Sequence, residues 1–102
     1  MEKIKTKGFT AKDEFNASSA TPIKMAKNGV IEVTDVMIKD KADGETVGYM
    51  KTTDGTIYAT ISATIIEQLV ALAEMVQAGP LTVQVVPKTS NGGREYFMLE
   101  LQ

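Results

Sequence analysis

The chain of 102 residues contains no cysteine, no histidine and no tryptophan. Without cysteine there is no disulfide, no thiolate metal site and no thiol nucleophile. Without histidine the commonest general base and the commonest metal ligand are missing. Aromatics are few, three Tyr and three Phe, and positive charge is not in excess: 11 Lys and Arg face 13 Asp and Glu. The net charge of -2 argues against a broad basic footprint of the kind nucleic-acid binders usually carry. No apolar run approaches the ~18 residues of a membrane span. Met1-Glu2-Lys3-Ile4-Lys5 lacks the apolar run of a signal peptide. A membrane association is not expected, and a cytoplasmic location is. No Ser/His/Asp set, phosphate-cradling glycine loop or metal-ligand cluster occurs. Asp35, Asp40, Asp43 and Glu45 are the nearest approach to a cation site, but they lack the glycine and terminal glutamate of a calcium loop. No enzyme activity, cofactor or bound metal is therefore expected.

What is present is organised around residues 47–79. Asp54-Gly55 lies between two segments rich in β-branched and aromatic residues, a strong hairpin signal. A two-residue loop pairs Thr53 with Thr56, Lys51 with Tyr58 and Tyr49 with Thr60. Thr52, Met50, Gly48, Ile57, Ala59 and Ile61 then face the core. Lys51, Tyr49, Val47, Tyr58 and Thr60 face outward. Gly48 on the core side lets a small barrel bend. A helix follows over residues 63–78. Thr64 and Glu67 form a capping box, with Ser62 as the competing cap. Ile65, Leu69, Leu72 and Val76 make its apolar stripe, and Gly79-Pro80 stops it.

The flanks complete the pattern. Residues 30–40 form a long strand in which Ile31/Val33 and Val36/Ile38 are out of phase, so a β-bulge near Thr34-Asp35 is required. Residues 81–86 and 95–101 are strands, joined by a flexible loop over 87–93. Residues 1–28 form an N-terminal arm or edge strand, with Lys3-Ile4-Lys5-Thr6-Lys7 alternating. The arm packs along the domain through Phe9, Phe15, Ile23 and Met25, or it is mobile and orders on binding; both remain open. The chain is one domain, 1–102, with the barrel over 29–102. The predicted fold is mainly β: a small five-stranded barrel with one α-helix between strands three and four. That is the order of the OB-fold.

On this order, the long first strand, the Tyr49/Tyr58 hairpin and the Asp54-Gly55 turn, residues 30–101 resemble OB-fold single-stranded DNA-binding proteins. The resemblance is closest to compact ones from phages and mobile elements. It implies single-stranded DNA as partner, with RNA as the neighbouring alternative, a place in DNA replication or recombination, and a homo-oligomer. Many cellular members carry an acidic tail for recruiting partners. This chain ends on its last strand, so recruitment through a tail is not expected.

Single strands are held by aromatic platforms for bases and by cations for phosphates. Tyr49 and Tyr58 on the outer hairpin face are the candidate platforms, and Lys51 is the candidate cation between them. Lys39, Lys88 and Arg94 continue the charged path, the last two in a loop that OB-folds use for ligands. The competing reading is that tyrosines are simply good strand residues. The rival class is a small protein-binding module (inhibitor, adaptor or oligomer subunit) using the same face, with Val47, Met37 and Met98 beside the tyrosines. A basic stripe through the tyrosines favours nucleic acid; an apolar patch rimmed by acids favours protein.

Overall fold

The computed structural model describes residues 2–102, with Glu2 and Lys3 as backbone only. The elements in chain order are β1 (Glu2–Lys5), α1 (Ala11–Asn16), β2 (Thr21–Pro22), β3 (Val30–Asp40), β4 (Thr46–Thr52), β5 (Ile57–Thr60), α2 (Ala63–Met75), β6 (Leu81–Thr89) and β7 (Glu95–Leu101). Short 3-10 turns occupy Ala17–Ser19, Ile23–Ala26 and Val76–Ala78.

The strand β3 organises the sheet. Val33 pairs with Thr52 and Asp35 with Lys51, which leaves Thr34 as the bulged residue. The bulge shifts the alternation by one, so Val33, Val36 and Ile38 all reach the core at 2% exposure or less. The first half of β3 pairs with β6; the second half pairs with β4 on one edge and β1 on the other. One strand thus serves both ends of the sheet, and the sheet curls.

The order along the sheet is β2-β5-β4-β3-β6-β7, with β1 added on β3. All pairings are antiparallel except the short parallel contact of β2 with β5. The five expected strands are present in the expected order, with α2 between the third and fourth. The count differs: seven strands instead of five and two α-helices instead of one, because residues 2–26 contribute β1, α1 and β2. The closure differs too. Among the described residues β5 and β7 do not pair, and β5 takes β2 on that edge. The result is a curled mixed sheet, a half-barrel.

The helix α2 packs against β3, β4 and β7. Its cap is Ser62, whose hydroxyl accepts from the Ile65 N–H, and Thr64 lies inside the helix. The reason is local: the Ser62 N–H donates to Thr60 Oγ1 at 3.0 Å and holds the chain extended there. Ile65, Leu69, Leu72, Ala73 and Val76 are the buried stripe. Burying Ile65 and Leu69 completely is worth about 1.5–3 kcal/mol each.

The strand β6 runs three residues past the expected end. Pro87 pairs with Phe97, Lys88 with Tyr96 and Thr89 with Glu95, so the loop shrinks to residues 90–94. Pro87 is tolerated because Val85, two residues earlier, makes the last hydrogen bonds on that edge, with Asn28 and Gly29. Beyond it no neighbouring strand asks for the missing N–H.

Candidate nucleic-acid interface

The hairpin register places the two tyrosines on opposite faces. Tyr49 pairs with Ala59, Met50 with Tyr58 and Lys51 with Ile57, one residue off the expected pairing. The cause is the turn. The Thr52 N–H donates to Thr56 O, and Gly55 has φ 89°. Residues 53–55 therefore make a three-residue loop with glycine in the left-handed region, rather than a two-residue loop. The Asp54 carboxylate holds the loop by accepting from the Thr56 N–H and the Thr52 hydroxyl. These same bonds hold its carboxyl below the usual carboxylate range. A one-residue slip turns every β5 side chain over. Tyr58 packs against the main core with Met50, whereas Ile57 and Ala59 join Tyr49 outside.

The outer hairpin face is largely covered by the arm. Phe9, 1% exposed, sits on Tyr49 with ring centroids 6.4 Å apart. Phe9, Ala17, Met37, Val47 and Tyr49 form a second core. Tyr49 is 7% exposed, and burial pushes its phenol up, against the opposing charge of Lys41. The Lys51 ammonium donates to Asp13 at 2.8 Å and to Gly8 O at 3.1 Å. Burial would raise the Asp13 carboxyl. The bonds from Lys51 and from the Thr10 N–H and hydroxyl outweigh it and hold the group below its usual 3.8. The expected exposed cluster of Tyr49, Lys51 and Tyr58 is thus not assembled: one is buried, one ion-paired and one turned inward.

The remaining candidates lie apart. Lys88 is on β6, not in a loop, and pairs with Glu100 at 3.3 Å. Arg94 closes the β6–β7 turn, its N–H donating to Ser90 Oγ. Lys39 is half-buried on β3 and does lie beside Tyr49, in a surface cavity of about 450 Å³ that also holds Lys41, Ser18 and Ile61. This cavity adjoins one of about 550 Å³ that holds Lys24, Ile65, Tyr96 and Phe97. The two share Ala20, Val47, Ala59 and Ile61. Together they make one groove along the strip of the hairpin that the arm leaves open, ending in the gap between β5 and β7.

The electrostatics of this groove are better than the net charge suggests. Its acids are already engaged: Glu95 with Lys27 at 3.2 Å, Glu45 with Lys41 at 3.8 Å and Glu14 with Lys5 at 3.5 Å. Among the described residues no carboxylate lies within ion-pairing distance of Lys24 or Lys39. The cavities thus bring together two available cations and the half-buried Tyr96 and Phe97. Sequence reasoning missed Lys24, Tyr96 and Phe97 as a set. The signal was there in Arg94-Glu95-Tyr96-Phe97, an aromatic pair next to a cation; only the fold puts Lys24 beside it. Among the described residues no helix is long and apolar enough to cross a membrane, and no acidic cluster could hold a metal ion.

No curated protein and no solved structure matches the chain significantly. A family model does: that of the phage single-stranded DNA-binding proteins, over residues 5–102. With a match across nearly its whole length, the chain belongs to the phage single-stranded DNA-binding protein family.

Proposed function

We propose that this protein binds single-stranded DNA, largely without sequence preference, along the groove between the arm and the β5 edge. The observation that carries this is the continuity of the two cavities through Ala20, Val47, Ala59 and Ile61, with Lys39 at one end and Lys24, Tyr96 and Phe97 at the other. Tyr96 and Phe97 stack on bases, and stacking tolerates any base because each has a π-face. Lys24 and Lys39 neutralise phosphates, with Arg94 and Lys88 extending the path along the β6–β7 hairpin. Tyr49 forms the floor of the groove rather than a free platform. On this reading the half-barrel is an OB-type barrel opened at its β5/β7 seam, and residues 2–28 are a built-in part of the domain.

Titration of labelled oligo-dT at two salt concentrations tests the proposal. Four phosphate contacts, from Lys24, Lys39, Arg94 and Lys88, give a log–log slope of about -3 for a single strand. Tyr96→Ala weakens binding by about 1–3 kcal/mol and leaves the unfolding midpoint nearly unchanged, since the side chain is only half-buried. If wild-type protein fails to bind oligo-dT at low salt and micromolar concentration, the proposal fails. The protein-binding module then takes its place.

A further inference from the structure

Among the described residues β7 pairs only with β6, so its other edge is open. In an antiparallel ladder, hydrogen-bonded and non-hydrogen-bonded pairs alternate, so residues two apart on a strand point their backbone N–H and C=O the same way. Leu99 points outward, and the Gln68 side chain takes both of its groups. Gln68 Oε1 accepts from the Leu99 N–H at 2.9 Å, and Nε2 donates to Leu99 O at 2.8 Å. Val85, opposite Leu99, points away on the other side and bonds Asn28 and Gly29. The β6–β7 register runs without a shift, so the Pro87–Phe97 pair is of the same kind. The N–H and C=O of Phe97 therefore point to the same edge as those of Leu99. No described group bonds them.

This edge faces the gap at the end of the groove. Tyr96 and Phe97 line one cavity of about 550 Å³ with Thr60 and Ile61 across the seam, and Lys24 lines it too. The strand β5 does not close on the edge, because β2 holds β5 at Tyr58 and Ala59. A strand from another molecule has little to pair with. Gln68 occupies Leu99, and the β6–β7 turn precedes Glu95. Residues 95–97 are left, about half an ordinary strand.

Gln68 shows what the edge accepts. A carboxamide is a planar acceptor beside a donor, and β7 holds it by two bonds. The Watson–Crick edge of every nucleobase offers the same pattern, as in O4 and N3–H of thymine or N1 and N6–H of adenine, and in a single strand that edge is free for protein contacts. We infer that the backbone N–H and C=O of Phe97 read the Watson–Crick edge of one base of the strand lying in the groove. The inference rests on the groove reading above and adds what selects single strands: in a duplex these edges are already paired. All four bases carry the pattern, so the contact imposes no sequence. The occupant is a nucleotide and not a neutral amide, because Lys24 in the same cavity has no described carboxylate partner and suits a phosphate.

Oligo-dT and the same strand built from N3-methylthymine carry equal charge and equal π-faces, but the methyl group removes the donor of the edge. Wild-type protein is expected to bind the methylated strand about 5- to 30-fold more weakly, the loss of one or two neutral hydrogen bonds. The salt slope should not change, because no phosphate contact is lost. Replacing Phe97 by its α-hydroxy analogue, phenyllactate, turns the amide into an ester, which removes the N–H and keeps the ring. This protein should unfold close to the wild-type midpoint, since that N–H serves no ladder bond. It should bind oligo-dT several-fold more weakly and the methylated strand as wild type does, because the methyl already holds the base off the edge. Equal wild-type affinity for the two strands overturns the inference and leaves the groove proposal standing. Losses from methyl and ester that simply add overturn it too, since the base edge is then read elsewhere. Self-association without DNA that the ester protein lacks overturns it in favour of a second copy on the edge. Wild-type protein that does not bind oligo-dT removes both readings at once.

Discussion

A methyl group at Gly48 would meet Leu69 Cδ1 at 2.6 Å and Ile66 Cγ1 at 3.2 Å. The missing side chain is what lets α2 sit directly on β4, a closer reason for glycine than bending of the strand. Leu69 is completely buried and cannot swing aside. Gly48→Ala should therefore destabilise the fold by about 1–3 kcal/mol, read as a lowered denaturation midpoint. Asp13 sets a pH dependence. Its folded-state carboxyl is held below 3.8, chiefly by Lys51 and Thr10 acting against burial. The folded protein thus prefers the carboxylate more strongly than the unfolded chain does. The stabilisation is present above pH 3.8 and is lost as pH falls through the lower folded-state value. Asp13→Asn should flatten the stability profile in that acid window and leave the part that Asp54 contributes. An unchanged acid limb would mean that the Lys51 contact does not persist in solution.

At the scale of elements the arm is the test case. Phe9 is the largest completely buried side chain of the second core, at 1% exposure. Phe9→Ala should cost about 3–5 kcal/mol in chemical denaturation. A loss below about 1 kcal/mol would mean an arm that folds and unfolds independently of the sheet. The contrast with Phe15, which is 83% exposed, could not be read from the sequence, because the two share one segment without enough periodicity to assign a face. Other elements were legible. The phase change between Val33 and Val36 demanded a bulge, and Thr34 is bulged. Ile65, Leu69, Leu72 and Val76 recur at helical spacing and are all buried. The hairpin register was not legible, because Asp54-Gly55 suits both a two-residue loop and a three-residue loop. The choice depends on the bonds from Asp54 to Thr52 and Thr56. That single residue of register separated Tyr49 from Tyr58 and dissolved the expected site.

At the scale of the whole molecule, an acidic chain that binds an anionic polymer has to arrange its charges rather than accumulate them. With a net charge of -2 there is no general field to draw DNA in. On the groove proposal, binding rests on stacking and on a few local cations, which come from distant parts of the sequence, Lys24 in the arm and Lys39 in β3. Which lysines were already neutralised could be known only from the folded structure. This arrangement yields a charge test. Glu95 lines the groove beside Tyr96 and Phe97, and it holds Lys27 at 3.2 Å. Glu95→Gln removes a negative charge from the path and releases one ammonium. Binding of oligo-dT should tighten at low salt. If Lys27 then takes a phosphate, the log–log salt slope should steepen by about 0.7. Lys39→Ala should make the slope shallower by about the same amount, since it removes one contact. Anisotropy titrations at four salt concentrations would resolve both changes. Slopes that are the same in wild type, Glu95→Gln and Lys39→Ala would mean that the phosphates run elsewhere on the molecule, whatever the bases stack upon.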